Sequence, residues 1–204
     1  MFIAFEGIRR SGKSTLSLAL LEYLNNEFKD SENYVKADPH FGDFQWTKEP
    51  TFPKEEADDL NIRSDVDEYR RERTFFESRI DHQNGITGKN IICEQYIWCA
   101  LAHTFVFSPG CFKFAKELYL SEYLFVQPDL YIQVSTNPEV CYERDTSMSL
   151  DLLKRIEQSY RATQEFINVP VLKISSIGGE DRAIGQLKEM FDNYMKEIKV
   201  DNKW

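Results

Sequence analysis

Met1-Phe2-Ile3-Ala4-Phe5-Glu6-Gly7-Ile8-Arg9-Arg10-Ser11-Gly12-Lys13-Ser14-Thr15 opens the chain, and its reading decides the fold. An apolar run leads into Glu6, and Gly7–Ser14 then satisfies the G-x-x-x-x-G-K-[ST] phosphate-binding pattern. Gly7 and Gly12 let the backbone curl around an anion, so that the amides of the loop (Ile8, Arg9, Arg10 and Ser11 between them) point inward as a nest. Lys13 is placed to reach β- and γ-phosphates and Ser14 to ligate Mg²⁺, with Thr15 completing the stretch. Behind the loop, Thr15–Leu24 has the composition of a buried helix whose dipole faces the phosphates. At ordinary residue usage the pattern arises by chance in roughly 1% of chains this long. Lying between a strand and a helix, it is read as a nucleoside triphosphate site.

Outward from this loop the chain alternates strand and helix. Phe44–Thr47, Asn90–Cys93, Leu130–Val134 and Val171–Ile174 read as strands. Helical patterning covers 65–83, closed by Gly85 and Gly88, then 96–107, 112–125, 149–168 and 180–198. Asn137-Pro138 reads as the N-cap and first turn of a shorter helix, and the acidic stretch 54–61 as a solvated loop or frayed helix. Alternation of this kind predicts the α/β class: a P-loop NTPase fold, a five-stranded parallel sheet with helices on both faces, in a single domain over 1–204. Polar residues gather where strands end, at Lys48-Glu49, Glu94-Gln95, Ser135-Thr136 and Ser175-Ser176, which predicts one pocket there.

Of 204 residues, 34 are acidic and 25 basic, and a net charge of −9 argues against a nucleic-acid surface. Arg9 and Arg10 are then local exceptions beside the phosphate loop. Cys93, Cys99, Cys111 and Cys141 form no C-x-x-C pair, which predicts free thiols in a reducing compartment. The most apolar stretch, Cys99–Phe107, is too short to span a bilayer. The expectation is a soluble cytoplasmic enzyme with neither membrane nor nucleic acid as partner.

With these positions placed, the sequence resembles the thymidylate kinase family of nucleoside monophosphate kinases. Phe5–Thr15 is similar to that family's F-E-G-x-D-x-x-G-K-S-T, and Thr47-Lys48-Glu49-Pro50 to its T-R-E-P. Phe75–His82 resembles its F-x-x-D-R-x-x-H, Glu94-Gln95-Tyr96 lies where it has D-R-Y, and Pro128-Asp129-Leu130 matches its P-D-L. The resemblance implies transfer of the γ-phosphoryl of ATP, with Mg²⁺, to a pyrimidine deoxynucleoside monophosphate such as dTMP, by a homodimer. It casts Arg10, Lys13, Glu94 and Arg144 as catalytic, with a short lid at about 144–150, and Ser14 and Glu94 as holding the metal. It assigns the acceptor to Arg9, Lys48, Phe75, Arg79, Gln95, Tyr96 and His103: Lys48 on the phosphate, Phe75 stacked on the base, Arg79 hydrogen-bonded to it, Tyr96 at the deoxyribose. Asp81 and His82 are expected at the surface or in a cap.

Three departures stand out. The family's P-loop aspartate is Arg9, its T-R-E-P arginine is Lys48, and its D-R is Glu94-Gln95. Gln95 cannot supply the lost positive charge: either Arg9 supplies it instead, or the acceptor differs from dTMP. An acidic residue at 94 also suits a deoxynucleoside kinase, with Glu94 as base, and the altered D-R-Y suits a weakly catalytic nucleotide binder.

Overall fold

Strand β1 (Phe2–Glu6) is buried along its whole length, as a strand flanked on both edges and covered on both faces must be. The computed structural model describes residues 1–28, 43–49, 67–86, 90–121 and 124–200. β2 (Gln45–Lys48), β3 (Ile91–Glu94), β4 (Leu130–Ser135) and β5 (Val171–Ser175) join β1 in one sheet, ordered β2-β3-β1-β4-β5 with every neighbouring pair parallel. The order reverses at β1, so the loop after it opens at the switch point where ligands of such sheets bind.

Alternation along the strands sorts side chains into two cores. Phe2, Ala4, Ile91, Cys93 and Tyr131 face one side, packed by α3 (Ile97–Phe107), α4 (Phe112–Tyr119) and α6 (Leu150–Thr163), with Phe76 and Ile80 of α2 (Glu68–Ile86) against them. Ile3, Phe5, Ile92, Leu130, Ile132 and Val134 face the other, under α1 (Lys13–Glu22) and α7 (Glu180–Val200). The period of two in β-structure is what allows one sheet to support both layers. α5 (Pro138–Arg144) is capped by Asn137, whose side chain accepts from the Glu139 amide at 3.1 Å, with Pro138 in the first turn as the sequence predicts.

Several predicted boundaries shift. α1 is covered on one side only, with Leu18 exposed, and continues as a π-type turn over Tyr23–Glu27. The helix predicted over 112–125 ends at Tyr119, where the chain turns and buries Phe125 against Phe76 and Tyr119. That predicted over 149–168 tightens into a 3-10 turn at Gln164–Phe166. α2 continues past Gly85 to Ile86, and the stretch 54–61, Pro50 and Gly88 lie outside the described residues.

Glu6 ends β1 fully buried. One carboxylate oxygen accepts from the Tyr96 amide at 2.9 Å, at the start of α3, and the other from the Tyr160 hydroxyl of α6 at 3.3 Å. Burial, with Cys99 nearby, pushes its carboxyl from an ordinary 4.5 up to about 8. Between those values the folded chain keeps a proton that the unfolded chain releases. Stability from this group is therefore full below pH 4.5 and is lost as pH rises through about 8. Glu6→Gln, which cannot ionise, should flatten this part of a urea-midpoint profile; an unchanged slope would contradict the assignment.

Candidate active site

The loop after β1 is shaped by three left-handed residues, Gly7 (φ 142°), Arg10 (φ 62°) and Gly12 (φ 99°). A side chain at Gly7 would overlap the Val134 carbonyl oxygen of β4, so glycine is required there for space as well as conformation. Gly12 precedes α1 without any side-chain cap, leaving the first amides of the helix for an anion. Thr136, just after β4, donates to the Ser11 carbonyl at 2.9 Å and is hydrogen-bonded to Ser176, just after β5. These two strand ends therefore support the loop from behind instead of lining the predicted pocket.

Predicted donor-side residues Arg9, Arg10, Gly12, Lys13, Ser14 and Thr15 line a cavity of about 730 Å³. Lys48, Phe75, Arg79, Glu94, Gln95 and His103 line the same cavity, as does Arg144. Gly7, Ile8 and Ser11 form the back of the loop: Ile8 is in the core and its carbonyl accepts from Lys13 Nζ at 2.8 Å. Burial lowers the Lys13 ammonium, with Glu94 opposing the shift. Tyr96 departs from expectation. Its ring is wholly buried edge-on against Phe2 and its hydroxyl donates to the Val126 carbonyl at 3.1 Å, so it is a core residue and not a wall of the cavity.

A carboxylate that sequence reasoning passed over organises the cations. Asp145 Oδ2 accepts from Nε of Arg9 at 3.2 Å and from Nε of Arg10 at 3.1 Å. The amide and hydroxyl of Ser147, then Arg10 and Arg9, hold its carboxyl well below the usual range, so it stays ionised. Arg144 donates to the Arg10 carbonyl at 2.9 Å and steadies the left-handed turn. Arg144 and Asp145 are thus tied to the phosphate loop.

On the same cavity, Lys48 at the end of β2 pairs with Glu94 at the end of β3 at 2.9 Å, while Glu94 Oε2 is buried without a hydrogen-bond partner among the described residues. Arg79 is 4% exposed; its guanidinium lies over the Phe75 and Tyr119 rings, one Nη donates to the Phe75 carbonyl, and Nε has no partner. His82, expected at the surface, is buried. It pairs with Glu49 through Nδ1 and with Thr47 Oγ1 through Nε2, the latter at 2.7 Å, because a fully buried carboxylate at 49 needs a partner. The two stretches Thr47-Lys48-Glu49 and Phe75–His82 are therefore one assembly joined through His82, and it carries both Lys48 and Arg79 on the cavity wall. Glu72 accepts from Thr104 at 2.6 Å at another wall. Gln95, at φ 64°, turns its amide to Cys99 Sγ at 3.3 Å.

Sequence signals for the missed residues exist in part. Glu72, Phe75, Arg79 and His82 recur at three- and four-residue steps, one face of a helix, as do Gln95, Cys99 and His103. Asp145 has no such signal, because its partners are 135 and 136 positions away.

A Gly-rich phosphate loop at the switch point of a parallel sheet defines a P-loop NTPase fold. No protein-family model matches the chain. The thymidylate kinase of Leptospira borgpetersenii is 24% identical, with 94% of this chain and 93% of that one covered. The thymidylate kinase of Malacoplasma penetrans is 25% identical over 78% of this chain and 74% of that one. The probable thymidylate kinase of Methanocaldococcus jannaschii is 25% identical, covering 93% and 97%. The crystal structure of the Ehrlichia chaffeensis thymidylate kinase superposes with a TM-score of 0.63 at 19% identity, covering 94% of this chain and 98% of that one. By sequence and fold together the chain is similar to thymidylate kinases.

Removing the imidazole in His82→Ala takes from buried Glu49 its His82 contact and should cost about 3 kcal/mol in urea unfolding; wild-type stability would mean that this contact does not hold the strand to the helix. Asp145→Ala frees both arginines from their common anchor. It should lower kcat about 10- to 100-fold by misplacing them, with little change in melting temperature; an unchanged kcat would remove Asp145 from the working site.

Proposed function

We propose that this chain transfers the γ-phosphoryl group of ATP to the 5′-phosphate of dTMP. The observation that carries the reading is a single cavity lined by two cationic groups from different elements, the loop with Lys13, Arg9 and Arg10, and Lys48 of β2 with Arg79 of α2. Two anionic substrates placed end to end fit such a space. The phosphoryl group in flight carries its charge on peripheral oxygens, so catalysis is chiefly positioning and electrostatic stabilisation. In this reading Lys13 and the loop amides hold the donor phosphates, and Arg10, projecting from a strained turn, meets the transferring group. Arg144 sets the backbone from which Arg10 projects.

Lys48 binds the acceptor phosphate as a point charge, without the bidentate fork of an arginine. Arg9 makes up the positive charge that Gln95 lacks. Phe75 and Arg79 receive the base. Mg²⁺ would supply charge neutralisation to the transferring phosphates there. Ser14 and the unpartnered oxygen of Glu94 are the hard oxygen donors that suit it.

The test is ADP release from ATP·Mg²⁺ with dTMP, dUMP, 5-substituted dUMPs or thymidine as acceptor. Stimulation by dTMP is expected, and Arg10→Ala should reduce kcat by about 10³-fold, as loss of an arginine on the transferring group does. Stimulation by thymidine alone would instead make Glu94 the base of a deoxynucleoside kinase, and no stimulation would leave a nucleotide binder.

A further inference from the structure

The cavity contains a nucleophile that phosphoryl transfer does not use. Cys99 and His103 are one turn apart on α3, and both line the cavity. His103 Nδ1 lies 2.8 Å from the Cys99 carbonyl oxygen, which can only accept, so this nitrogen carries a proton in either charge state of the ring. The same Nδ1 is 3.2 Å from Cys99 Sγ. Gln95 Nε2 donates to that sulfur from another direction at 3.3 Å. Two N–H groups thus converge on one sulfur, an arrangement that favours thiolate over thiol.

The surroundings add positive charge. Arg79, buried and with an unpartnered Nε, lines the same cavity. Burial alone would raise the Cys99 thiol, but His103 and then Arg79 outweigh it and bring the thiol below its ordinary range. Burial pushes the other three thiols up. Cys93 and Cys141 are buried without a place on the cavity wall, and Cys111 is half-buried.

We propose that Cys99 is a reactive thiolate on the wall of the cavity, the site at which hydroperoxides oxidise this protein and close its acceptor pocket. The sulfur attacks one oxygen of hydrogen peroxide, forming an S–O bond as the O–O bond breaks. The departing hydroxide takes the proton from His103 and leaves as water. Sulfur loses the two electrons that peroxide gains, and the product is a sulfenic acid that a small dithiol reduces back. The added oxygen displaces the Gln95 amide and occupies space in the cavity. The oxidation itself does not depend on the proposed reaction; only its effect on activity rests on that reading.

The experiment treats the full chain with dilute hydrogen peroxide, traps sulfenic acid with dimedone, and locates the adduct on each cysteine by peptide mass spectrometry. Cys99 should label first, several-fold faster than Cys111, and more slowly in His103→Gln or after preincubation with dTMP. First labelling at Cys111, ordered by exposure, would overturn the proposal without requiring any variant. In parallel, wild type and Cys99→Ser are each compared with their own untreated rate of ADP release. Wild type should lose activity and regain it with dithiothreitol while the variant keeps its fraction; equal losses would also overturn the proposal. Labelling at Cys99 in a chain that phosphorylates no acceptor would sink the kinase reading and leave the thiol assignment standing.

Discussion

Everything in this molecule is arranged around the closeness of Gly7 to the β4 backbone. The Val134 carbonyl fills the space where a side chain would begin, and the phosphate loop must curl over it. That closeness is possible only because β1 and β4 are direct neighbours in a parallel sheet, in register from Ile3 with Leu130 to Glu6 with Gln133. Thr136 and Ser176 then brace the loop from the next two strand ends. With its shape set by backbone, the loop can give its amides and the uncapped start of α1 to an anion.

Charge is the second organising constraint. An acidic chain places six lysines and arginines on one cavity, and three of them are held by carboxylates: Arg9 and Arg10 by Asp145, Lys48 by Glu94. Such pairing fixes long side chains in one geometry before a substrate arrives, which is where much of the advantage of a preorganised site resides. Glu49 serves the same end one step removed, because its contact with His82 locks the strand that bears Lys48 to the helix that bears Arg79.

The fold was legible because its signals are local. The glycine spacing of Gly7–Ser14, the apolar strands and the Asn137-Pro138 cap each lie within a few residues. Helix ends were less legible, since the stop after Tyr119 follows from burying Phe125 against α2, a contact between distant segments. At the site, residues that a motif names were found, and their partners were not. Tyr96 was misplaced because a tyrosine opening a helix reads alike whether it faces core or cavity; the hydrogen bond to Val126 decides. His82 was misread because a polar residue on a charged helix looks solvated until Glu49 is known to be buried beside it. Asp145 could not have been found at all without the fold that brings it to the loop.

The central claim is that one cavity holds donor and acceptor together, phosphate to phosphate. Calorimetry with adenosine and thymidine joined 5′ to 5′ through five phosphates tests it most directly. The account predicts one molecule bound per chain, far more tightly than either ATP or dTMP alone, since one ligand then spans both cationic groups. Affinity no better than that of ATP would mean that the two groups do not serve a single reaction.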